Sequence, residues 1–329
     1  TNGNVLVNGT LTANDNSAML MSSNAAQTAT FASTTSFWDL TVDADVSCTV
    51  TGNVEVRGSL DLLDGNFDCT GNQVSLTSSA TQTGRLGPVG ATASYTGNMR
   101  IERYRPAGNT NWMLMGSPIQ NRDVVHWQDD FITAGYPGSQ YPNFDNPVGS
   151  NILWPSIRWY DETNTGANEN DGLQGVISNT QALSTGQGFA VWAGTGLNNT
   201  NAFSIDLEGA PPVIASTPIS LPLSFTDTGN PSADGWNLVS NPLPTPIDFE
   251  QIALGANVED YITYYNPTNG NTAVYDISLG ILLATNGATN TIQSMQGFFL
   301  KANGSAVTTT VEESDKVSGN GGGMFGLTG

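Results

Sequence analysis

The sequence predicts an all-β protein in which a short N-terminal β-solenoid precedes two homologous β-sandwich-like domains. Short segments rich in β-branched residues alternate apolar and polar side chains and are separated at regular intervals by Gly, Asn or Asp. This rhythm is typical of strands and turns. Helical periodicity is almost absent, and three motifs of the middle of the chain recur later in the same order.

Residues 1–96 make up the predicted solenoid. Segments 5–12, 40–50, 54–62 and 73–77 are the clearest strands. The stretch Cys-Thr-Val-Thr-Gly-Asn-Val from Cys48 resembles Cys-Thr-Gly-Asn-Gln-Val from Cys69, 21 residues later. A repeat of this length suits one coil of a small β-solenoid.

The two cysteines of this repeat are candidates for a disulfide. Equivalent residues on adjacent coils lie about 4.8 Å apart, within the range of about 4.4–6.8 Å between Cα atoms that a disulfide tolerates. We therefore expect that Cys48 and Cys69 can be bridged in an oxidising compartment. Two buried free thiols are the alternative.

The rest of the chain contains an internal duplication. The motifs of residues 112–119, 157–161 and 185–193 recur as residues 236–243, 262–266 and 294–302. We infer a first β-domain over residues 97–214 with inserted loops, a second over 215–312, and a Gly-rich tail over 313–329. Each motif is interpreted as part of a core, because a Trp-led strand ends at a Pro and a Gln-Gly pair opens an apolar strand.

Charge and hydropathy exclude several classes of function. The chain has 9 Lys and Arg against 29 Asp and Glu, a formal net charge of -20, which repels nucleic acids and anionic membranes. We find no apolar run near the roughly 18 residues needed for a membrane span. Only 12% of residues are charged, so 34 Asn and 38 Thr supply a surface of amides and hydroxyls.

Catalysis is not expected. His126 is the single histidine, which excludes most metal centres and every histidine-dependent triad unless His126 itself serves. No Ser in a nucleophile elbow accompanies it. A hydrolase would instead need a carboxylate pair such as Asp129 with Asp130 or Glu169 with Asp171. The first pair is a poor candidate, because neighbouring residues of a strand point to opposite faces. We expect no enzyme activity and no cofactor; weak calcium binding is the alternative considered.

The calcium hypothesis concerns the loop of residues 161–172. Its candidate ligands are Asp161, Asn168, Asn170 and Asp171, which offer the oxygen atoms that a hard cation requires. The spacing fits no EF-hand. Ordinary turns are the alternative, because Asn and Asp side chains bond the local backbone.

Aromatic residues in a long Pro- and Gly-containing loop form a candidate carbohydrate site. Tyr136, Tyr141 and Trp154 stand beside amide side chains, a combination that can stack on sugar rings. A protein interface and simple packing over the end of a sheet are the alternatives.

The termini suggest self-association. Met324, Phe325 and Leu327 follow a flexible Gly-rich segment and could add to the sheet edge around Val5, Val7 and Leu11 of another copy. A head-to-tail contact of this kind generates a fibre. The alternative is a linker to a further domain.

Several of these motifs together resemble a pattern in secreted and cell-surface proteins of the Bacteroidota that the type IX secretion system exports. Gly-Asn-rich strands lead into Gly-Asn-Met-Arg-Ile-Glu-Arg-Tyr at residues 97–104, and a Ser-Pro strand end follows at 117–118. The further matches are Tyr-Pro-Gly-Ser at 136–139, Trp-Tyr-Asp at 159–161, Gly-Gln-Gly-Phe at 186–189 and Gly-Trp-Asn-Leu-Val-Ser-Asn-Pro at 235–242. The resemblance implies an exported envelope protein whose C-terminal sorting domain lay beyond residue 329.

Taken together, the sequence predicts an extracellular or cell-surface structural or adhesive protein that self-associates or binds extracellular partners. The start at Thr1, without an initiator Met, fits a processed exported chain. A self-assembling filament subunit is one form of this role. A carbohydrate-binding module of a larger secreted protein is the alternative.

Overall fold

A computed structural model describes residues 3–9, 11, 15–164, 166, 168–212, 217–278 and 283–318. The predicted all-β class is confirmed: 48% of residues lie in strands and 5% in helices. Within the described ranges no helix is long and apolar enough to cross a membrane. The short 3-10 helices of these ranges are Val124–Trp127, Glu169–Gly172, Phe249–Gln251 and Glu313–Asp315.

The predicted solenoid is also confirmed, with about four turns. Its strands stack in parallel in three columns: β1-β3-β5-β7-β9, β2-β5-β7-β8 and β4-β6-β7-β9, where β5, β7 and β9 contribute to more than one column. Alternate side chains point into the coil and form one apolar core. The strands are β1 (Val5–Val7), β2 (Ala18–Ser23), β3 (Gln27–Phe31), β4 (Thr35–Phe37), β5 (Asp39–Thr51), β6 (Val54–Val56), β7 (Ser59–Leu76), β8 (Arg85–Val89) and β9 (Ser94–Arg105).

The register of these coils corrects the disulfide prediction. Cys48 of β5 pairs with Phe67 of β7, two residues before Cys69, because the offset between the strands is 20 residues at Leu40 and Leu60 and 19 after the register shifts between Val42 and Ser47. Both cysteines are free and buried. Cys48 Sγ lies 3.4 Å from Met21 Sδ, and Cys69 Sγ lies 2.8 Å from Tyr95 Oη. Burial raises the pKa of Cys48 to about 11.

The strands after the solenoid occur in two series. The first series is β10 (Gly108–Asn109), β11 (Asn111–Met115), β12 (Arg122–Asp123), β13 (Ile157–Tyr160), β14 (Leu173–Gly175), β15 (Ala182–Leu183), β16 (Phe189–Ala193), β17 (Asn199–Thr200) and β18 (Phe203–Gly209). The second is β19 (Ile219–Ser220), β20 (Trp236–Ser240), β21 (Ile247–Asp248), β22 (Ala253–Leu254), β23 (Tyr261–Asn266), β24 (Asn271–Asp276), β25 (Leu283–Ala284), β26 (Thr291–Ile292), β27 (Gly297–Lys301) and β28 (Thr309–Val311).

The two series build sheets with the same strand order. The first sheet is β11-β16-β13-β14, and the second is β20-β27-β23-β24 with β25 at its edge. Each series also contains a small antiparallel pair, β12 with β15 in the first and β21 with β26 in the second. In both series the first strand of the pair leads directly into a 3-10 helix. The recurring sequence motifs thus lie on corresponding strands of the two sheets.

The two sheets meet through reciprocal backbone contacts. Gly116 N–H donates to Met295 O at 2.9 Å, and Ser240 N–H donates to Gly186 O at 2.8 Å. Gly116 corresponds to Ser240 and Met295 to Gly186, so the second bond repeats the first with the two domains exchanged. Gly188 and Gly297 permit this approach, since a Cβ there would lie 2.5 Å from Val239 O and 2.7 Å from the Leu114 carbonyl carbon. The two series are therefore related by an approximate internal two-fold axis.

Alternate side chains of each strand lie on opposite faces of its sheet and join different cores. Met113 and Val191 of the first sheet pack into the core that it shares with the solenoid, whereas Ile262 and Phe298 of the second sheet pack into a core of its own. The intervening residues, such as Leu114 and Leu238, face the opposite sheet. A sandwich-like layer of side chains lies between the sheets.

The far end of the solenoid is covered by these domains. β18 pairs antiparallel with β9, so the boundary drawn at residue 97 falls inside a strand that belongs to the solenoid sheet. At β8, Leu86 N–H donates to Pro244 O and Lys316 Nζ donates to Gly87 O, each at 2.8 Å. The second domain therefore caps the last coil.

Candidate binding cleft between the two sheets

One of the three predicted carbohydrate-binding residues is buried. Tyr136 is 1% exposed and belongs to the core shared by the solenoid and the first sheet. The loop turns back at this point, where Ser139 Oγ donates to Tyr136 O at 2.7 Å. The prediction that Tyr136 contacts a ligand is therefore wrong. Its ring packs in the core, which was the alternative interpretation of this loop.

The other two residues share a surface groove. Tyr141, which is 57% exposed, and Trp154 line a depression of about 230 Å³ with Phe144, Trp192 and Leu197. Phe144 and Trp154 lie opposite each other at the base of a hairpin, where Trp154 N–H donates to Phe144 O at 3.1 Å. Four of the ten residues that line the groove are aromatic.

A larger cleft of about 560 Å³ lies between the two sheets. The first sheet contributes Trp112, Leu114, Arg158, Tyr160, Leu173 and Ala190. The second contributes Trp236, Tyr261, Thr263, Tyr264, Tyr265, Thr272, Val274 and Phe299, and Glu169 and Asn170 of the 3-10 helix Glu169–Gly172 complete the wall. A cleft of this size at a domain interface, apolar with a few polar groups, is the usual form of a small-ligand site.

Three tryptophans separate the cleft from the groove. The ring centroids of Trp112 and Trp154 are 5.3 Å apart, and each lies 5.5 Å from that of Trp192. The Arg158 guanidinium lies 4.8 Å from the ring centroid of Trp112 and 5.8 Å from that of Trp154. Burial lowers the pKa of Arg158. We call these three rings the tryptophan triad.

The far wall of the cleft is a second aromatic cluster. Phe299 meets Tyr160 of the other sheet at 5.3 Å and Trp236 at 6.1 Å between ring centroids, in both cases edge to face. Trp236 also contacts Tyr261 at 6.2 Å and lies under Lys301 Nζ at 5.0 Å. The cleft thus has aromatic faces on both sheets.

Hydroxyl groups supply the polar character of the cleft. Tyr160 Oη donates to Glu169 O at 2.7 Å, and Tyr265 Oη donates to Asn111 Oδ1 at 3.3 Å. Burial raises the pKa of Tyr160, and burial together with Glu259 and Asp276 raises that of Tyr261 to about 12. Tyr160 and Tyr261 therefore remain protonated at physiological pH.

The two walls are not identical despite the duplication. The register of the strands makes Arg158 correspond to Thr263, and Ala190 to Phe299. Trp192 likewise corresponds to Lys301, because each pairs with the first Trp of its sheet. The two walls of the cleft therefore differ: Arg158 lies on the first and Phe299 on the second.

The candidate catalytic residues lie elsewhere. His126 is exposed in the 3-10 helix Val124–Trp127, where its Nδ1 contacts the backbone of Asp123. Asp129 is exposed, whereas Asp130 is partly buried and its Oδ2 accepts a hydrogen bond from Asp206 N–H at 2.9 Å. Burial raises the pKa of Asp130 to about 7. None of these three side chains lines the cleft or the groove.

The candidate calcium ligands take part in local turns. Asp161 Oδ1 accepts hydrogen bonds from the Thr163 N–H and hydroxyl, at 3.1 and 2.6 Å. Asn168 Oδ1 accepts from Asn170 N–H at 3.0 Å, and Asp171 Oδ2 accepts from Asn168 N–H at 3.3 Å. Among the described residues no group of three or more His, Cys, Asp or Glu side chains is placed to hold a metal. The calcium site stays a prediction.

The residues predicted for assembly are only partly described. Met324, Phe325 and Leu327 lie outside the described residues. Val5 and Val7 of β1 turn inward and pack against the solenoid core, so neither is a free apolar contact, whereas Leu11 is 38% exposed. Within the described ranges β1 pairs only with β3, which leaves its other backbone edge open.

Most of the cleft was missed by reasoning from the sequence. Trp112, Tyr160, Trp236 and Phe299 stand in motifs that we interpreted as core elements and not as binding sites. The available signal was the presence of large apolar residues on both faces of these strands: Trp112 and Leu114 alternate with Met113 and Met115, and Leu238 is followed by Val239. A strand that is apolar on both faces must be covered by other parts of the protein on both faces of its sheet.

Comparison with protein-family models, curated proteins and solved structures gives no match for this chain.

Proposed function

We propose that this chain is an extracellular adhesive protein that attaches to carbohydrate through the cleft between its two sheets. The observation that carries the proposal is the cleft of about 560 Å³ with aromatic faces on both walls and tyrosine hydroxyls at its edge. Aromatic rings bind the apolar faces of sugar rings, and hydroxyl and amide groups bind the sugar hydroxyls.

The extracellular setting is supported by the resemblance to exported Bacteroidota proteins and by the scarcity of charged residues. The solenoid adds a structural role, because it is a stack of coils whose last turn is capped by the second domain. In this proposal it is a spacer that carries the cleft. The same arrangement serves a carbohydrate-binding module of a larger secreted protein.

Binding to immobilised polysaccharides and to a glycan array tests this function. We expect wild-type protein to bind a restricted set of glycans, and Trp236→Ala to lose about tenfold or more in affinity, because truncating a central aromatic anchor typically costs more than 1 kcal/mol. Trp38→Ala is the matched control, since Trp38 is a partly exposed tryptophan of the solenoid that contacts Arg57. Absence of binding to every glycan by wild-type protein would count against the proposal.

A filament subunit is the second candidate function. The observation that favours it is that β1 pairs on one side only among the described strands, because an open edge of this kind can accept a strand from another copy. Electron microscopy of concentrated protein tests it. We expect filaments from residues 1–329 and single particles when residues 319–329 are deleted; single particles from both would reject this candidate.

A further inference from the structure

We infer that the groove and the cleft are two subsites for one extended, neutral polysaccharide chain, bound along its length rather than at its end. This inference rests on the proposed carbohydrate binding and adds the class of ligand. It concerns the face of the first domain where the inserted hairpin, the tryptophan triad and the second sheet meet.

The first argument is continuity. Trp154 and Trp192 line the groove, Trp112 lines the cleft, and the three rings contact one another at 5.3–5.5 Å. Each ring is partly exposed. The triad is therefore both the wall between the two depressions and an aromatic surface that joins them.

The second argument is length. The aromatic surface starts at Tyr141 and Phe144 in the groove, where Phe144 lies 6.0 Å from Trp154. It ends in the cleft at Trp236, Phe299 and Tyr261, on the other sheet. Two depressions of about 230 and 560 Å³ offer more room than a single sugar unit fills, and both are open to solvent at their mouths. A chain can enter one and leave by the other.

The third argument is charge. Among the described residues that line either depression, the charged ones are Arg158 and Glu169, one of each sign, so this lining has no net charge. The chain as a whole carries -20, which repels anionic polymers at long range. A neutral polymer that offers sugar faces and hydroxyl groups fits both conditions.

Affinity as a function of ligand length tests the inference. The probes are neutral β-linked gluco-, xylo-, manno- and chito-oligosaccharides, each as a series from the disaccharide upward, measured by calorimetry. Wild-type protein is compared with Tyr141→Ala in the groove and with Thr272→Trp, which fills the cleft from an exposed position without removing a core contact. Trp38→Ala is again the control, and thermal unfolding confirms that each variant is folded.

We expect affinity for at least one series to rise about tenfold or more with length before it reaches a plateau. Tyr141→Ala should abolish this gain, whereas Thr272→Trp should weaken short and long ligands alike. Equal affinity for short and long ligands, or an unchanged length dependence in Tyr141→Ala, overturns the inference and leaves the proposed function standing. Binding of anionic polysaccharides alone overturns its neutral-ligand part, and no binding by any series overturns both proposals.

Discussion

Tyr160 and Phe299 come from different sheets and meet edge to face, with ring centroids 5.3 Å apart and planes at 85°. Tyr160 lies on β13 of the first sheet and Phe299 on β27 of the second. The pair joins the two halves of the duplication at the wall of the cleft. It therefore links the stability of the domain pair to the shape of the binding site.

Phe299→Ala should lower the free energy of unfolding by about 2 kcal/mol, less than for a fully buried phenylalanine because Phe299 is partly exposed. The loss comes from its contacts with Tyr160 and Trp236. Urea denaturation measures it. Ile177→Ala is the control, because Ile177 is 78% exposed and should change stability by about 0.5 kcal/mol or less. Equal effects of the two changes would contradict the packing described here.

Gly297→Ala should destabilise the protein by about 1–3 kcal/mol, because the new Cβ would lie 2.7 Å from the backbone of Leu114 in the opposite sheet. The sheets must then move apart. Gly3→Ala is the same change at a site with no heavy atom within 4 Å of the new Cβ, and its effect should be small. Thermal unfolding of both variants checks the prediction, and an unaltered melting temperature for Gly297→Ala would refute the close approach.

Asp130 should make stability depend on pH. Burial raises its pKa to about 7, above the value of about 3.9 in an unfolded chain. Between these values the folded state binds more protons than the unfolded state, so the contribution of Asp130 to stability is greatest below about pH 4 and is lost as the pH rises through 7. Asp130→Asn should therefore raise the melting temperature at pH 7.5 and have little effect at pH 4.

The control for this prediction is Asp129→Asn, which removes the same charge from an exposed neighbour. It separates the local effect from the relief of repulsion in a chain with a net charge of -20. The melting temperature is measured from pH 4 to 8 for both variants. The assignment is rejected if the difference in melting temperature between Asp130→Asn and Asp129→Asn does not increase with pH.

Cys48 and Cys69 should remain reduced and unreactive in the folded protein. Both thiols are buried, and burial raises the pKa of each, so the reactive thiolate is scarce at pH 8. Titration with a thiol reagent should detect neither cysteine before denaturation and both after it. A mass two hydrogens lower under non-reducing conditions would instead reveal the disulfide that the sequence suggested.

Calcium removal should leave the melting temperature unchanged. Asp161 and Asn168 already accept hydrogen bonds from Thr163 and Asn170 in local turns. Unfolding is followed with excess chelator and with millimolar calcium. A rise in melting temperature with calcium that Asp171→Asn abolishes would support a calcium site in this loop.

The fold was largely predictable from the sequence because each element depends on local periodicity. The alternation of Val54 to Val56 and the repeated Trp-led strands at Trp112 and Trp236 required no knowledge of distant contacts. The cysteine pairing failed because the offset between β5 and β7 is 20 residues at Leu40 and Leu60 and falls to 19 at Cys48 and Phe67 after two register shifts, whereas the cysteines are 21 residues apart. The cleft was missed because it depends on which face of one sheet covers the other, and no local pattern encodes that.

The unequal walls of the cleft give it a direction. In a true homodimer the two-fold axis would make both walls alike, and a ligand could be turned end for end without changing its contacts. Here Arg158 stands where the other half has Thr263, and Ala190 where it has Phe299. If a polymer with chemically distinct ends binds here, as we propose, it meets different partners in its two orientations. Because both halves belong to one chain, their corresponding positions can carry different residues, and the exact symmetry that would make the two ligand orientations equivalent is absent.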